Sequence, residues 1–277
     1  MIKIPAEGIF KGQEAMWRLG FIYVYKKDFK RGISLIRKAV LAARESPRHY
    51  ANTLNQLTYA YLWMGDFQQA EDYYRQSKDM CDCMLPYYFY YRTDFQAALA
   101  ASKHCNSPAE NDQCLYFVGN TYFQLGDFEN AVNHYRQFRE LREARNRIQW
   151  DNLYREGIAL IELGMEHEGM DLIEEQLAQL EKRTKLVRPD GYDYHLAAIH
   201  AYRGDQDKAL EYLREYDNKV FFPCFNIIPI YFARHDRLFW PLWDNPEFNR
   251  FLNKVQHEME NGRIQVREME EQEELYF

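Results

Sequence analysis

The side chains best able to do chemistry are eight histidines, five cysteines and 42 acidic residues, and their spacing decides what is open to them. His195 and His200 stand five residues apart, whereas two histidines sharing a zinc ion on one helix stand four apart. They read as packed or surface imidazoles. Cys81 and Cys83 are followed by Cys105 and Cys114 after steps of 22 and 9 residues. Structural zinc favours pairs with two to four residues between them, and a buried cysteine often serves as a small core residue. With Cys224 the count is odd, which fits reduced thiols better than a disulfide framework. The glycines form no phosphate loop after a strand, and no serine lies in a Gly-x-Ser-x-Gly elbow. The runs Glu270-Glu271 and Glu273-Glu274 suit a solvated tail. The expectation is no catalytic residue, no metal, no cofactor and no enzymatic activity.

The elements that carry these residues are built from a chain of 277 residues, 47% hydrophobic and 28% charged, enough to bury a core and too apolar for a disordered class. Aromatics make up 16%, with 22 Tyr and 18 Phe. The formal net charge is −7, and the densest basic cluster is Lys26-Lys27 with Lys30-Arg31 close by, so nucleic acid is not expected as a partner. No stretch of 18 apolar residues occurs and residues 1–12 lack the apolar core of a signal peptide, so neither a membrane nor export is expected, and the location expected is cytoplasmic.

A short motif recurs along the chain: a small residue, then Asp, then an aromatic. It is clearest at Gly65-Asp66-Phe67 and Gly126-Asp127-Phe128. Weaker copies are Lys27-Asp28-Phe29, Thr93-Asp94-Phe95, Gly164-Met165-Glu166 and Gly204-Asp205-Gln206. Three residues after each copy stands a small residue, Gly32, Ala70, Ala98, Ala131, Gly169 or Ala209, at spacings of 38, 28, 33, 38 and 40. The pattern describes a helix hairpin. A residue that tolerates the left-handed conformation ends the first helix. Asp then caps the second by accepting from its free N–H groups. The aromatic packs back, and the small residue lets the two helix axes approach.

Ala51 to Met84 resembles the tetratricopeptide repeat (TPR), whose period is 34, through Leu54, Leu57, Thr58, Tyr61, Gly65, Phe67, Ala70 and Tyr74. Asp112 to Arg145 is similar through Leu115, Val118, Gly119, Tyr122, Gly126, Phe128, Ala131 and Tyr135, and Gln13 to Ser46 through Met16, Leu19, Gly20, Tyr23, Phe29, Gly32 and Ala39. Trp150 to Arg183 and Asp190 to Pro223 are looser copies, with Glu156 in a normally apolar slot. Residues 85–111 make a degenerate third copy with a shortened first helix and Pro86 near its start. The resemblance implies an all-α fold: a right-handed TPR α-solenoid of about six helix hairpins over 13–223, one structural domain, with residues 1–12 as an N-terminal segment.

After Pro223 the pattern changes. Residues 224–252 read as a cap in which Phe239, Trp240, Leu242 and Trp243 cover the last hairpin, and Asp244 or Asn245 before Pro246 starts a helix. The stretch Asp236 to Leu252 resembles a terminal segment of bacterial multidomain TPR signalling proteins, of the class III adenylate cyclase and transcriptional regulator type. The charged segment 253–277 continues the helix. Phe248, Leu252, Val255, Met259, Gly262, Val266 and Met269 alternate steps of four and three. Two readings stay open: a helix with one face on the end of the array, or a coiled-coil seam for a homodimer or linker, weakened at Gly262 by about 1 kcal/mol relative to Ala.

In the TPR family the first helix of each hairpin lines a concave face. Carried over, the resemblance places Trp17, Phe21, Tyr25, Asn52, Asn55, Tyr59, Trp63, Tyr116, Asn120, Phe123, Tyr154, Tyr194 and Tyr202 there. Rings supply buried area and amides meet a peptide backbone, so the expected function is a protein-interaction module holding a peptide or helix in an aromatic groove. The carboxylate clamp of chaperone-binding TPRs is not expected, because Trp17 and Phe21 occupy its Lys and Asn positions. The alternative is a sensory or regulatory TPR domain of a larger signalling protein, dimerising or relaying through the C-terminal helix.

Overall fold

The computed structural model describes residues 6–77, 84–103, 112–145, 153–184, 192–218 and 228–274. Among them every regular element is helical, as the sequence implies, and twelve helices pair into six hairpins. The pairs are α1 (Ala6–Tyr25) with α2 (Phe29–Ala43), α3 (Pro47–Trp63) with α4 (Phe67–Ser77), and α5 (Met84–Tyr91) with α6 (Phe95–Ser102). They continue with α7 (Asp112–Leu125) and α8 (Phe128–Ala144), α9 (Leu153–Glu162) and α10 (Glu166–Thr184), and α11 (Tyr192–Tyr202) and α12 (Gln206–Asn218). The third hairpin is the shortest, as its degenerate sequence predicts.

One turn chemistry builds all six. The residue before the Asp position has positive φ, at Lys27, Gly65, Thr93, Gly126, Gly164 and Gly204. The following N–H donates to the carbonyl five residues back at 2.9–3.0 Å, closing the helix end. Asp28, Asp66, Asp94, Asp127 and Asp205 then accept from a backbone N–H three residues on. Met165 in the fifth turn has no oxygen to do so. The small residues also act as expected: a Cβ on Gly169 would lie 2.3 Å from the Gly157 carbonyl, so α9 and α10 touch backbone to backbone.

The described residues divide into two compact units rather than one array plus a cap. The first comprises residues 1–81, 217–231 and 245–277. It holds α1 to α4 and the long α13 (Pro246–Glu274), whose start is capped by Asn245 Oδ1 accepting from the Glu247 and Phe248 N–H groups at 2.8 and 3.2 Å. α13 packs on α2, in the first hairpin. Phe248, Leu252, Val255, Met259, Val266 and Met269 are all buried. The face that also read as a homodimer seam is therefore used within the chain, against the first hairpin.

Gly262 is no weak point of this packing. A Cβ there would lie 2.1 Å from Phe29 Cδ2, so the glycine is what lets α13 close on α2. Polar contacts lock the register. Arg263 Nη1 donates to the Met64 carbonyl at 2.7 Å and Tyr231 Oη to the Leu62 carbonyl at 2.8 Å, at the end of α3, where Leu62 also accepts from the Gly65 N–H at 3.0 Å. Glu270 accepts from Tyr61 Oη and from Arg37 Nη1, both at 2.5 Å. Burial raises the Tyr61 hydroxyl far above its usual pKa, with Tyr73 and Glu270 adding to it, so it stays a proton donor. Lys27 Nζ bridges Asp217 at 2.7 Å and Glu258 at 2.6 Å.

The second unit comprises residues 82–216 and 232–244, with α5 to α11 and most of α12. Its second piece is short and mostly 3-10 helix: the end of Ile230–Arg234, then Arg237–Leu242, with Asp236 between them. Phe232 and Phe239 in this piece are among the largest fully buried side chains of the protein. What they are buried against is the site.

Candidate functional site

Phe232–Asp244 lies on the first helices of four successive hairpins. Phe232 packs on Tyr90 and Tyr91 of α5 at ring distances of 4.9 and 5.3 Å. Phe239 meets Tyr194 of α11 edge-on at 5.3 Å. Between the two rings Asp236, wholly buried, enters a polar cluster. Arg155 of α9 binds it through two nitrogens, Nη2 to Oδ2 at 2.6 Å and Nη1 to Oδ1 at 3.3 Å. Gln124 Nε2 of α7 donates to Oδ1 at 2.9 Å, and Tyr194 Oη donates to Oδ2 at 3.1 Å. Gln124 also reads the backbone of the segment, its Oε1 accepting from the Arg237 N–H at 2.9 Å. An amide that accepts one backbone bond while donating to a side chain fixes both the position and the direction of a bound segment.

Electrostatics follow from burial. Burial alone would lower the Arg155 pKa, but Asp236, with Tyr154 and further phenols, holds it well above the ordinary value, so the guanidinium stays charged. The Tyr194 hydroxyl is pushed well up, first by burial and then by Asp236, and remains a donor. Arg155 Nε donates to Tyr154 Oη at 3.1 Å, and Tyr154 Oη shares a proton with His195 Nδ1 at 3.0 Å. His195 is thus part of the scaffold, as the spacing argument expects of it. The guanidinium also lies 5.5 Å from the Phe123 ring centre.

The expected groove residues fall into three groups. Tyr116, Phe123, Tyr154 and Tyr194 are buried within the second unit, beneath or beside the segment, so this face is filled by the chain's own residues instead of standing open. In the first unit Phe21, Tyr25 and Trp63 are buried in a ring ladder, with Tyr25 and Trp63 4.8 Å apart and Trp17 half-exposed at its outer end against Arg18. Asn55 and Asn120 do not face a groove. Their Oδ1 atoms accept from Ser77 of α4 at 2.6 Å and from Tyr135 of α8 at 3.0 Å, tying each hairpin together. Asn52 is exposed, and Tyr59 and Tyr202 are half-buried.

The expected cap is also revised. Phe239 and Leu242 are buried, but Trp240 and Trp243 are 45% and 44% exposed, their rings 5.4 Å apart with Arg237 stacked over Trp240. Sequence reasoning missed Arg155, Gln124 and Asp236 as a functional set. The usable signal was Arg155, one of two charges, with Glu156, inside the buried run Leu153 to Leu160. Among the described residues no cluster of His, Cys, Asp or Glu could hold a metal. Cys114 is buried, while Cys81, Cys83, Cys105 and Cys224 lie outside the described residues. No helix among the described residues is long and apolar enough to cross a membrane.

No curated protein matches the chain. Family models described as tetratricopeptide repeat match residues 13–82 and 112–144, which cover the first two hairpins and the fourth. These matches show tetratricopeptide repeats in those two stretches, and the other three hairpins are closed by a turn of the same backbone form.

Proposed function

We propose that this protein is a non-catalytic protein-interaction module whose second unit holds a short peptide segment across its first-helix face, and that in the free chain the segment held is its own Phe232–Asp244, folded as 3-10 helix and turn. One observation carries the reading. A short piece of chain, two 3-10 turns joined at Asp236, is gripped through two aromatic anchors with a buried carboxylate between them, read by Arg155, Gln124 and Tyr194. This is how a repeat face would hold a partner: rings for area, a forked guanidinium for one acid, an amide for the backbone. A partner for this face carries an aromatic, an Asp four residues on and an aromatic three residues after that, as Phe232, Asp236 and Phe239 do. Aromatic-lined repeat surfaces and an acidic chain favour protein over nucleic acid as the partner. The covered face of α13 speaks against a homodimer joined along it.

The test uses the full chain with Asp236→Ala and a synthetic peptide of residues 232–244. The substitution weakens the resident segment, so the peptide should bind in trans and raise the variant's thermal midpoint in a concentration-dependent way. It should leave the unsubstituted chain unchanged. Equal shifts in both chains, or in neither, would remove the support for this face as a peptide site.

A further inference from the structure

A second cleft, within the first unit, lies between α2 and the α3–α4 hairpin and encloses about 520 Å³. That falls in the range of roughly 300–1,000 Å³ in which proteins take ligands. Leu54 and Leu57 of α3 lie beneath it, each 1% exposed. Leu41 stands at its lip on α2, 43% exposed. Its rim is basic. Arg37, Lys38 and Arg44 line it, and no carboxylate does, in a chain whose net charge is −7. Arg37 is held by Glu270, but Lys38 and Arg44 are exposed and carry no ion pair among the described residues. A guest must therefore bring an apolar group to Leu41 and negative charge to the rim.

Spacing selects the kind of guest. Lys38 and Arg44 are six residues apart on one helix, about 9 Å along its axis. Two acidic residues flanking an anchor in extended chain match that rise, since three residues of strand span about 10 Å. The Tyr50 side chain on the opposite wall carries a hydroxyl suited to a peptide's carbonyls, while that of Tyr73 meets Tyr61.

We infer that this cleft docks an acidic peptide segment of a partner protein, with one large apolar side chain between two carboxylates. The inference rests on the protein-binding reading above but uses a different surface, so the two can fail separately. The probe is a random-peptide phage library selected on the full chain, with enriched peptides then synthesised and titrated by fluorescence anisotropy. The expected winners carry Leu, Ile or Phe between Asp or Glu residues. They should lose at least about tenfold in affinity, or 1.4 kcal/mol, on the Lys38→Gln/Arg44→Gln chain and on the Leu41→Asp chain. They should bind the Asp236→Ala chain as well as the unsubstituted one. All three substituted side chains in the cleft are exposed, so helicity by circular dichroism should match throughout. Winners without acidic residues, acidic winners indifferent to both cleft variants, or no enrichment at all would each overturn the inference. Failure of the 232–244 peptide to bind in trans would leave it standing.

Discussion

Arg155→Met is the perturbation that probes the centre of the second unit. Met keeps the apolar stem of Arg155 and removes the charge, leaving Asp236 at 0% exposure without a counter-ion. Removing one partner of a buried pair costs about 3–5 kcal/mol. Asp236 would still accept from Gln124 at 2.9 Å, Tyr194 at 3.1 Å and the Leu238 N–H at 3.3 Å, which places the loss near the lower end, about 3 kcal/mol. Asp236→Leu is worse: it strands the guanidinium and takes the acceptor from Gln124 and Tyr194, for about 5 kcal/mol. In the double variant no buried charge remains, and only the lost hydrogen bonds count, about 3 kcal/mol in all. The two changes should therefore be non-additive by several kcal/mol, beyond the usual upper end of about 3 for residues in one network. Urea unfolding followed by far-UV circular dichroism reads all three variants. Additivity within about 0.5 kcal/mol, or a cost for Arg155→Met below about 1 kcal/mol, would refute the argument that this pair organises the face.

Further expectations concern backbone, packing and protonation. Thr93 has φ of 67°, a strained setting for a β-branched residue, so Thr93→Gly should raise stability by about 1 kcal/mol. Gly164 at 83° faces open space, so Gly164→Ala should lower it by a similar amount through strain alone, and thermal midpoints of the two variants should move in opposite directions. Gly262→Ala drives a methyl into Phe29 and should cost about 1–3 kcal/mol, seen as faster amide exchange in α13 with α7 to α11 unchanged. Burial raises the Glu156 carboxyl above its usual value, with Arg139 and then Arg136 opposing it. The native state thus keeps this proton to higher pH than the unfolded chain, and stability is lost as pH rises through that interval. Glu156→Gln should remove this slope, so that the stability of the parent relative to the variant falls as pH rises above the ordinary carboxylate range in urea titrations.

The hairpins were legible because their code is local. A left-handed residue, an Asp cap and a small residue in the second helix sit within eight positions, and each does in the structure what its chemistry implies. Even the poor third copy was legible, since Thr93-Asp94-Phe95 keeps the cap. What covers an apolar face is not local. Asp236 meets Gln124 and Arg155 across 112 and 81 residues, and nothing in the spacing of Phe232, Asp236 and Phe239 names those partners. The same holds for Gly262. A glycine in a heptad seam reads as a defect until Phe29, far away in sequence, is seen to need the space. Asn55 and Asn120 show a finer limit: repeat position places a residue on the first helix, but whether its amide faces outward or toward the second helix depends on Ser77 and Tyr135 opposite.

Hydrogen–deuterium exchange of the full chain, resolved to the peptide covering residues 232–244, tests the account most directly. If the segment is held on the first-helix face as a bound peptide would be, its amides should exchange slowly and in step with α9 and α11, and Asp236→Ala should release all three together. Exchange of 232–244 at the rate of unstructured chain, while α9 and α11 stay protected, would contradict it.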